Sequence, residues 1–206
     1  MKLLLVADEE DRGLWDFYTP ERLGGTDVIL SAGDLSPLYL SFLVTMANRP
    51  TLYVHGNHDG VYDRTPPEGC ECVDDRLVTV NGLRILGLGG SMQYNDGPYQ
   101  YTEAQMSRRI RKLQRQVRRA GGVDIVLTHA PVRGFGDGDN LTHRGFEAFL
   151  PLMDMWKPRF LIHGHMHIRY GISRQRVRQY GDTTIINACG RYLLDTDAPP
   201  SPENEQ

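Results

Sequence analysis

Five short apolar runs in this chain each stop at a polar segment rich in Asp, Asn or His, and this recurrence constrains the fold more than any other feature. Leu3 to Ala7 runs into Asp8-Glu9-Glu10, and Val28 to Leu30 runs into Ser31-Ala32-Gly33-Asp34. Thr51 to Val54 precedes His55-Gly56-Asn57-His58-Asp59. Ile125 to Leu127 precedes Thr128-His129-Ala130-Pro131, and Phe160 to Ile162 precedes His163-Gly164-His165-Met166-His167. Continuous apolar runs of this length suit strands buried on both faces better than short helices. Ligands of open α/β sheets bind beyond the carboxyl ends of the strands, so the polar segments mark one functional edge.

Helical candidates lie between the runs. Pro37 to Ala47 follows Ser36, a plausible N-cap. Thr102 and Glu103 open a segment in which Met106, Ile110, Leu113 and Val117 recur at helical spacing, and Gly121-Gly122 stops it. A third helix is expected from Gly145 to Trp156, closed ahead of Pro158. Arg76 to Leu88 has no helix and carries Asn81-Gly82, a two-residue hairpin signal. More strands are expected from Ile168 to Cys189, turning near Gln175 or Gly181. Together these features predict mixed sheets flanked by helices. One domain over residues 1–195 is expected, with a polar, Pro-rich tail over 196–206 read as disordered.

The formal net charge is -3, which gives no global cationic field toward nucleic acid or anionic lipid. Three cysteines, Cys70, Cys72 and Cys189, are too few and too unevenly spaced for a disulfide framework, which suits a reducing compartment. The amino-terminal apolar run is too short for a signal peptide, and no run approaches membrane-spanning length. A cytoplasmic protein with no membrane partner is the expectation.

Collected at the strand ends are carboxylates at Asp8, Glu10 and Asp34, an amide at Asn57, and imidazoles at His58, His129, His165 and His167. Mixed nitrogen and oxygen donors suit manganese, iron, cobalt, nickel or zinc better than calcium or a thiolate-loving metal. The donors outnumber what one ion with open positions needs, so two divalent ions sharing a carboxylate would use them.

The ordered set Asp8-x-Glu10, Gly33-Asp34, Gly56-Asn57-His58-Asp59, Thr128-His129 and Gly164-His165-x-His167 resembles the calcineurin-like metallophosphoesterase family, in its compact single-domain form. The resemblance implies a four-layer αββα sandwich, two mixed β-sheets with helices outside. It implies one ion held by Asp8, Asp34 and His167, and a second by Asp34, Asn57, His129 and His165, with Asp34 bridging. It further implies phosphoester hydrolysis, of a diester rather than a monoester, by a bridging hydroxide. His58 would protonate the leaving oxygen or stabilise its charge, with Asp59 fixing its orientation. Manganese is the expected metal, with iron, nickel, cobalt, zinc or magnesium as substitutes, and a small phosphoester the expected substrate.

The sequence departs from the family at Glu10, where the usual first motif Asp-x-His has its imidazole. Residues i and i+2 of an extended segment project to one side, which would place Glu10 beside Asp8. Glu10 could ligate the first ion, act through a water, or mark a weakened first site.

Other residues keep two readings. His143, after the loop from Gly134 to Asn140, could contact a substrate phosphate or be a polar residue at a helix start. His163 and His55 could support the motifs they flank or be ordinary strand-end residues, and His55 stays outside the site. Tyr94, Asn95, Tyr99 and Tyr101 could shape the pocket or simply pack. The basic residues of the Thr102 to Ala120 helix, among them Arg108, Arg109 and Arg115, form a solvated face or contact phosphates. The rival functions are a nuclease, for which that helix is thin support, and a metal-impaired protein-binding scaffold.

Overall fold

The computed structural model describes residues 1–168, 175–198 and 200. Its strands are β1 (Lys2–Ala7), β2 (Val28–Ser31), β3 (Thr51–Tyr53), β4 (Glu71–Cys72), β5 (Leu77–Val80), β6 (Leu83–Leu88) and β7 (Ser91–Met92). They continue with β8 (Gln100–Tyr101), β9 (Ile125–Thr128), β10 (Phe160–His163), β11 (Val177–Tyr180), β12 (Thr183–Asn187) and β13 (Gly190–Asp195). Three α-helices accompany them: α1 (Pro37–Ala47), α2 (Glu103–Arg119) and α3 (Phe149–Trp156).

One five-stranded sheet has the order β13-β1-β2-β3-β4, and a six-stranded sheet has the order β11-β12-β10-β9-β6-β5. In each, central parallel strands are flanked by an antiparallel edge, so both sheets are mixed. Strand alternation explains the layering. Leu3, Leu5 and Ala7 of β1 meet Ile125, Leu127 and Ile162 between the sheets. Leu4 and Val6 point the other way, onto Tyr39, Leu40 and Leu43 of α1. On the far side, Leu86, Val126 and Leu161 pack under α2 and α3. Helix, sheet, sheet and helices therefore stack as a four-layer αββα sandwich, as the family resemblance implies.

Helix α2 forms despite its run of positive charge. Thr102 and Gln105 make a reciprocal capping box. Met106, Ile110, Leu113 and Val117 are buried, each worth roughly 1.5–3 kcal/mol. Like-charge i,i+4 pairs such as Arg111 and Arg115 cost only about 0.2–0.5 kcal/mol each, so burial wins. Arg109 is not part of the solvated face. Its guanidinium bonds Asp75 Oδ1 at 2.8 Å and the Gly89 carbonyl at 2.7 Å, over the Tyr101 ring.

Two elements differ from the sequence reading. Helix α3 begins at Phe149, because the residues before it pair with the loop after β9. The Phe146 N–H donates to the Pro131 carbonyl, and the Phe146 carbonyl accepts from Arg133. Strand β13 lies beyond the stretch read as strand, and runs antiparallel to β1 from Lys2↔Asp195 to Ala7↔Gly190. Its period-two pattern was present in the sequence: Tyr192 and Leu194 are buried, while Leu193 between them is exposed. In the segment after Ile168, β11 and β12 turn at Gly181, and residues 169–174 lie outside the described residues. Of the tail, 199 and 201–206 also lie outside them. Thr196 is buried, and its N–H donates to the Met1 carbonyl. Among the described residues, no helix is long and apolar enough to cross a membrane.

Candidate metal centre

Strands β1, β2, β3, β9 and β10 end on the same side of the sandwich, and their loops meet because two glycines let them. A side chain on Gly33, whose φ is +94°, would strike the Gly56 amide, and one on Gly56 would strike the Asp34 carboxylate. Asp8, Asp34 and His165 themselves hold positive φ values of 60°, 57° and 66°. Left-handed conformations are uncommon for non-glycine residues and cluster where a site over-determines the backbone.

The centre is built around His129, which is fully buried. Its Nδ1 lies 2.7 Å from the Ala32 carbonyl, which can only accept, so Nδ1 carries the hydrogen. His165 repeats the arrangement in reverse, with Nε2 donating to the Thr142 carbonyl at 2.6 Å. The inward nitrogens, His129 Nε2 and His165 Nδ1, then face each other at 3.1 Å. Asn57 Oδ1 lies 3.0 Å from His129 Nε2, and Asp34 Oδ2 lies 3.4 Å from it. Asn57 is oriented by its own amide, whose Nδ2 donates to the Tyr94 hydroxyl at 3.0 Å. Tyr94 is held in turn by Gln100, which accepts from the Tyr94 and Asn95 amides.

Four lone-pair donors therefore converge in a buried space. Such an arrangement repels itself unless a cation or a proton sits among them. The electrostatics agree. Burial opposes a charge on His129, but Asp34 and Asp8 outweigh it and raise the ring to about 9. Burial, reinforced by the neighbouring His129, drives His165 down to about 3. Burial works against the Asp34 carboxylate, yet His129 and the His58 N–H hold it down to about 2. Two imidazoles, an amide oxygen and a carboxylate fit a divalent cation of the manganese-to-zinc range.

The remaining residues form a less closed group. The Asp8 carboxylate accepts the His165 N–H at 2.9 Å, and burial raises it to about 6. His167 Nδ1 lies 3.0 Å from Glu9 Oε1, not from Glu10. The reason is local: β1 ends at Ala7, Asp8 turns left-handed, and the Glu9 N–H bonds back to the Ala7 carbonyl at 2.6 Å. The i,i+2 rule assumes an extended chain, so it fails here. Glu10 is exposed instead. Nothing in the side-chain pattern could have singled out Glu9, although Asp is among the residues that tolerate such a turn.

His58 is exposed, and its ring makes no hydrogen bond among the described residues. Asp59, expected to orient it, does something else. Its buried Oδ2 accepts the Gly56 N–H at 2.7 Å and the Asp34 N–H at 2.9 Å, tying the β2 and β3 loops together. The His143 ring lies 5.6 Å from that of His165, and its Nδ1 bonds Asn140 at 2.9 Å. His163 is buried, pushed down to about 4 by burial, and bonds the Gly164 carbonyl. His55 pairs with Asp74 at 2.7 Å under a stacked Tyr99.

A two-sheet sandwich gathering nitrogen and oxygen donors at its strand ends defines an α/β domain with a candidate metal centre. The sequence profile described as the calcineurin-like phosphoesterase superfamily domain matches residues 1–195, and the chain belongs to that superfamily. Divalent metals are generally bound by this family. TT1561 of Thermus thermophilus is similar in fold, with a TM-score of 0.66, 17% identity, and 94% of this chain and 93% of that one covered. A second crystal structure matches with a TM-score of 0.67 at 14% identity, covering 95% of each chain. An archaeal phosphodiesterase matches with a TM-score of 0.45 at 15% identity, covering 96% of this chain and 94% of that one, too loose a likeness to argue from. No curated protein matches in sequence. The structural likenesses speak to the fold alone.

Proposed function

We propose that this chain is a metal-dependent phosphoester hydrolase acting on a small phosphodiester. The observation that carries the reading is the convergence of His129, His165, Asn57 and Asp34 lone pairs beside the exposed imidazole of His58. In this reading the four hold one ion, and Asp34 is shared with a second ion on the side of Asp8 and His167. Two divalent cations, when bound, would grip the phosphoryl oxygens and supply an activated water for in-line attack.

This chain's own residues do the remaining work. The Ala32 and Thr142 carbonyls fix the ring faces of His129 and His165, and Tyr94 turns the Asn57 oxygen inward. His58 is the group that delivers a proton to the leaving oxygen, because its ring has no competing hydrogen bond among the described residues. His143, at the rim beside His165, is assigned to a non-bridging phosphate oxygen. Asp59 serves as a staple for the loops. The diester preference rests on the family resemblance, and manganese is the metal we assign first to the nitrogen-and-oxygen set. Three free cysteines suit the reducing cytoplasm as the working location.

The test is turnover of bis-p-nitrophenyl phosphate by metal-stripped protein, with manganese added back. Activity should return with the metal, fall by about 10²–10⁴-fold in His58→Ala, and vanish with ion binding in Asn57→Ala or His129→Ala. Fully metal-loaded protein that hydrolyses neither diesters nor monoesters would sink the hydrolase reading and leave the scaffold. Cleavage of DNA or RNA in preference to small diesters would favour the nuclease.

A further inference from the structure

The mechanism above leaves one buried thiol unused beside the centre. Cys189 is 2% exposed, follows β12, and pairs across a parallel bridge with Ala7, the residue before Asp8. One ligand atom from each of Glu9, His167 and Cys189 lies within 4.8 Å of the others. That spacing is within closing distance of a tetrahedral zinc-type site, with metal–sulfur near 2.3 Å and metal–nitrogen near 2.0–2.1 Å. Burial, with Asp8 and Glu9 nearby, pushes the Cys189 thiol up to about 12 against the Ile168 N–H that bonds the sulfur, so the thiol keeps its proton until a cation displaces it. The Glu9 and His167 side chains are each 44% exposed, so the group has a buried sulfur wall and an open face. Catalytic metal sites keep such an open position.

We propose that this second ion, on the side of Asp8 and His167, takes Glu9 and the Cys189 sulfur as ligands together with His167, with Glu10 taking no part. The inference rests on the dinuclear reading above. On binding, the Cys189 S–H bond breaks, its proton passes to solvent, and the sulfur lone pair ligates the cation. The imidazole that the family places at the Glu10 position is thus replaced by two groups, a carboxylate one residue earlier and a thiolate from the opposite end of the chain. The two sites differ in character as a result. The buried site is all nitrogen and oxygen, whereas the open site carries a soft ligand that prefers zinc, cobalt or iron to manganese or magnesium.

Cobalt(II) separates the two sites without any assay of turnover. Reduced full-length protein saturated with cobalt should bind two ions and show a thiolate-to-cobalt charge-transfer band in the near ultraviolet. Cys189→Ser should lose that band while the buried site still fills. Glu9→Gln should weaken the thiolate-linked ion and leave the other unchanged; this exposed substitution covers the case in which Cys189→Ser does not fold. Glu10→Gln and Cys72→Ser should behave as wild type. Two bound ions with no charge-transfer band, or a band that survives Cys189→Ser, overturns the proposal and leaves the dinuclear reading standing. A band lost in Cys72→Ser instead overturns it in favour of the His55, Cys72 and Asp74 group. A single bound ion, lost in His129→Ala, removes the dinuclear reading and the proposal together.

Discussion

His129 Nε2 lies 3.1 Å from His165 Nδ1, while the opposite nitrogen of each ring is committed to a main-chain carbonyl. The two rings cannot relieve the contact by flipping without breaking a buried bond to Ala32 or Thr142. Something positive must sit between them. Without a cation, it is the proton that Asp34 and Asp8 hold on His129 against the opposition of burial, up to about 9.

A cation entering that space at neutral pH must therefore expel a proton. Binding at the buried site should release close to one proton, and affinity should fall about tenfold for each pH unit below about 9, as expected for one-proton competition. The sign follows from the raised value: lower pH favours the protonated ring and so opposes the metal. Titration calorimetry of His167→Ala, which isolates the buried site, in buffers of different ionisation enthalpy reads the proton directly. A heat independent of buffer would show that His129 is already neutral.

Asp59 and His58 are neighbours in sequence with separable jobs. Asp59→Ala strands two amides, Gly56 and Asp34, in the buried loop junction. That should cost about 2–4 kcal/mol, taking roughly 1–3 kcal/mol for each unsatisfied group with partial relief by relaxation. It should also loosen Asp34 and Asn57, lowering metal affinity. Asp59→Asn should recover most of the stability, since its amide oxygen can still accept. His58→Ala should leave the melting temperature and metal content unchanged and lower only turnover. Equal effects of Asp59→Ala and His58→Ala on turnover, with no change in stability, would restore Asp59 as the partner of His58.

Legibility of this fold followed the range of the interactions. Leu3 to Ala7 could be read as a strand because both of its faces are buried, and Ser36 could be read as a cap because a cap acts over three residues. The residues that meet at His129 were legible because each ends a strand, and strand ends gather at one edge. What escaped depends on contacts between distant segments. Gly145 and Phe146 fit a helix by sequence, yet Pro131 and Arg133 claim the Phe146 backbone and the Asp137 carboxylate claims the Gly145 N–H. Glu9, not Glu10, faces His167 because a left-handed Asp8 breaks the two-residue period, and no pattern of side chains records that turn.

Tyr94 acts on the centre through Asn57, by accepting its Nδ2 hydrogen at 3.0 Å. Tyr94→Phe keeps the ring and removes that acceptor, freeing the Asn57 amide to rotate. Metal affinity should fall by roughly 10–100-fold, the usual cost of losing a group that orients a ligand. Thermal stability of the metal-free protein should barely move, because the loop is still held by Gln100. Equilibrium dialysis with manganese, set beside a melting curve, checks both. Unchanged affinity would mean that the backbone already fixes Asn57.

Away from the centre, Arg84 and Asp124 join β6 to the start of β9 in a two-point pair, Nε to Oδ2 at 2.9 Å and Nη2 to Oδ1 at 2.7 Å. Asp124 Oδ2 also accepts the Arg84 amide. The Arg84 hydrogen bond is the main reason that the Asp124 carboxyl is held below its ordinary value, against a smaller opposing effect of burial. A depressed carboxyl contributes stability that is present above the unfolded value and lost as pH falls through the folded one. Both side chains are partly exposed, at 29% and 20%, so the contribution is discounted to about 1–2 kcal/mol. Asp124→Asn turns one oxygen into a donor facing the guanidinium, and should lose that amount at pH 7 in urea unfolding. The gap between variant and wild type should narrow steadily below about pH 4, as the wild-type carboxyl takes up its proton. A gap that stays constant with pH would assign the loss to altered packing between β6 and β9.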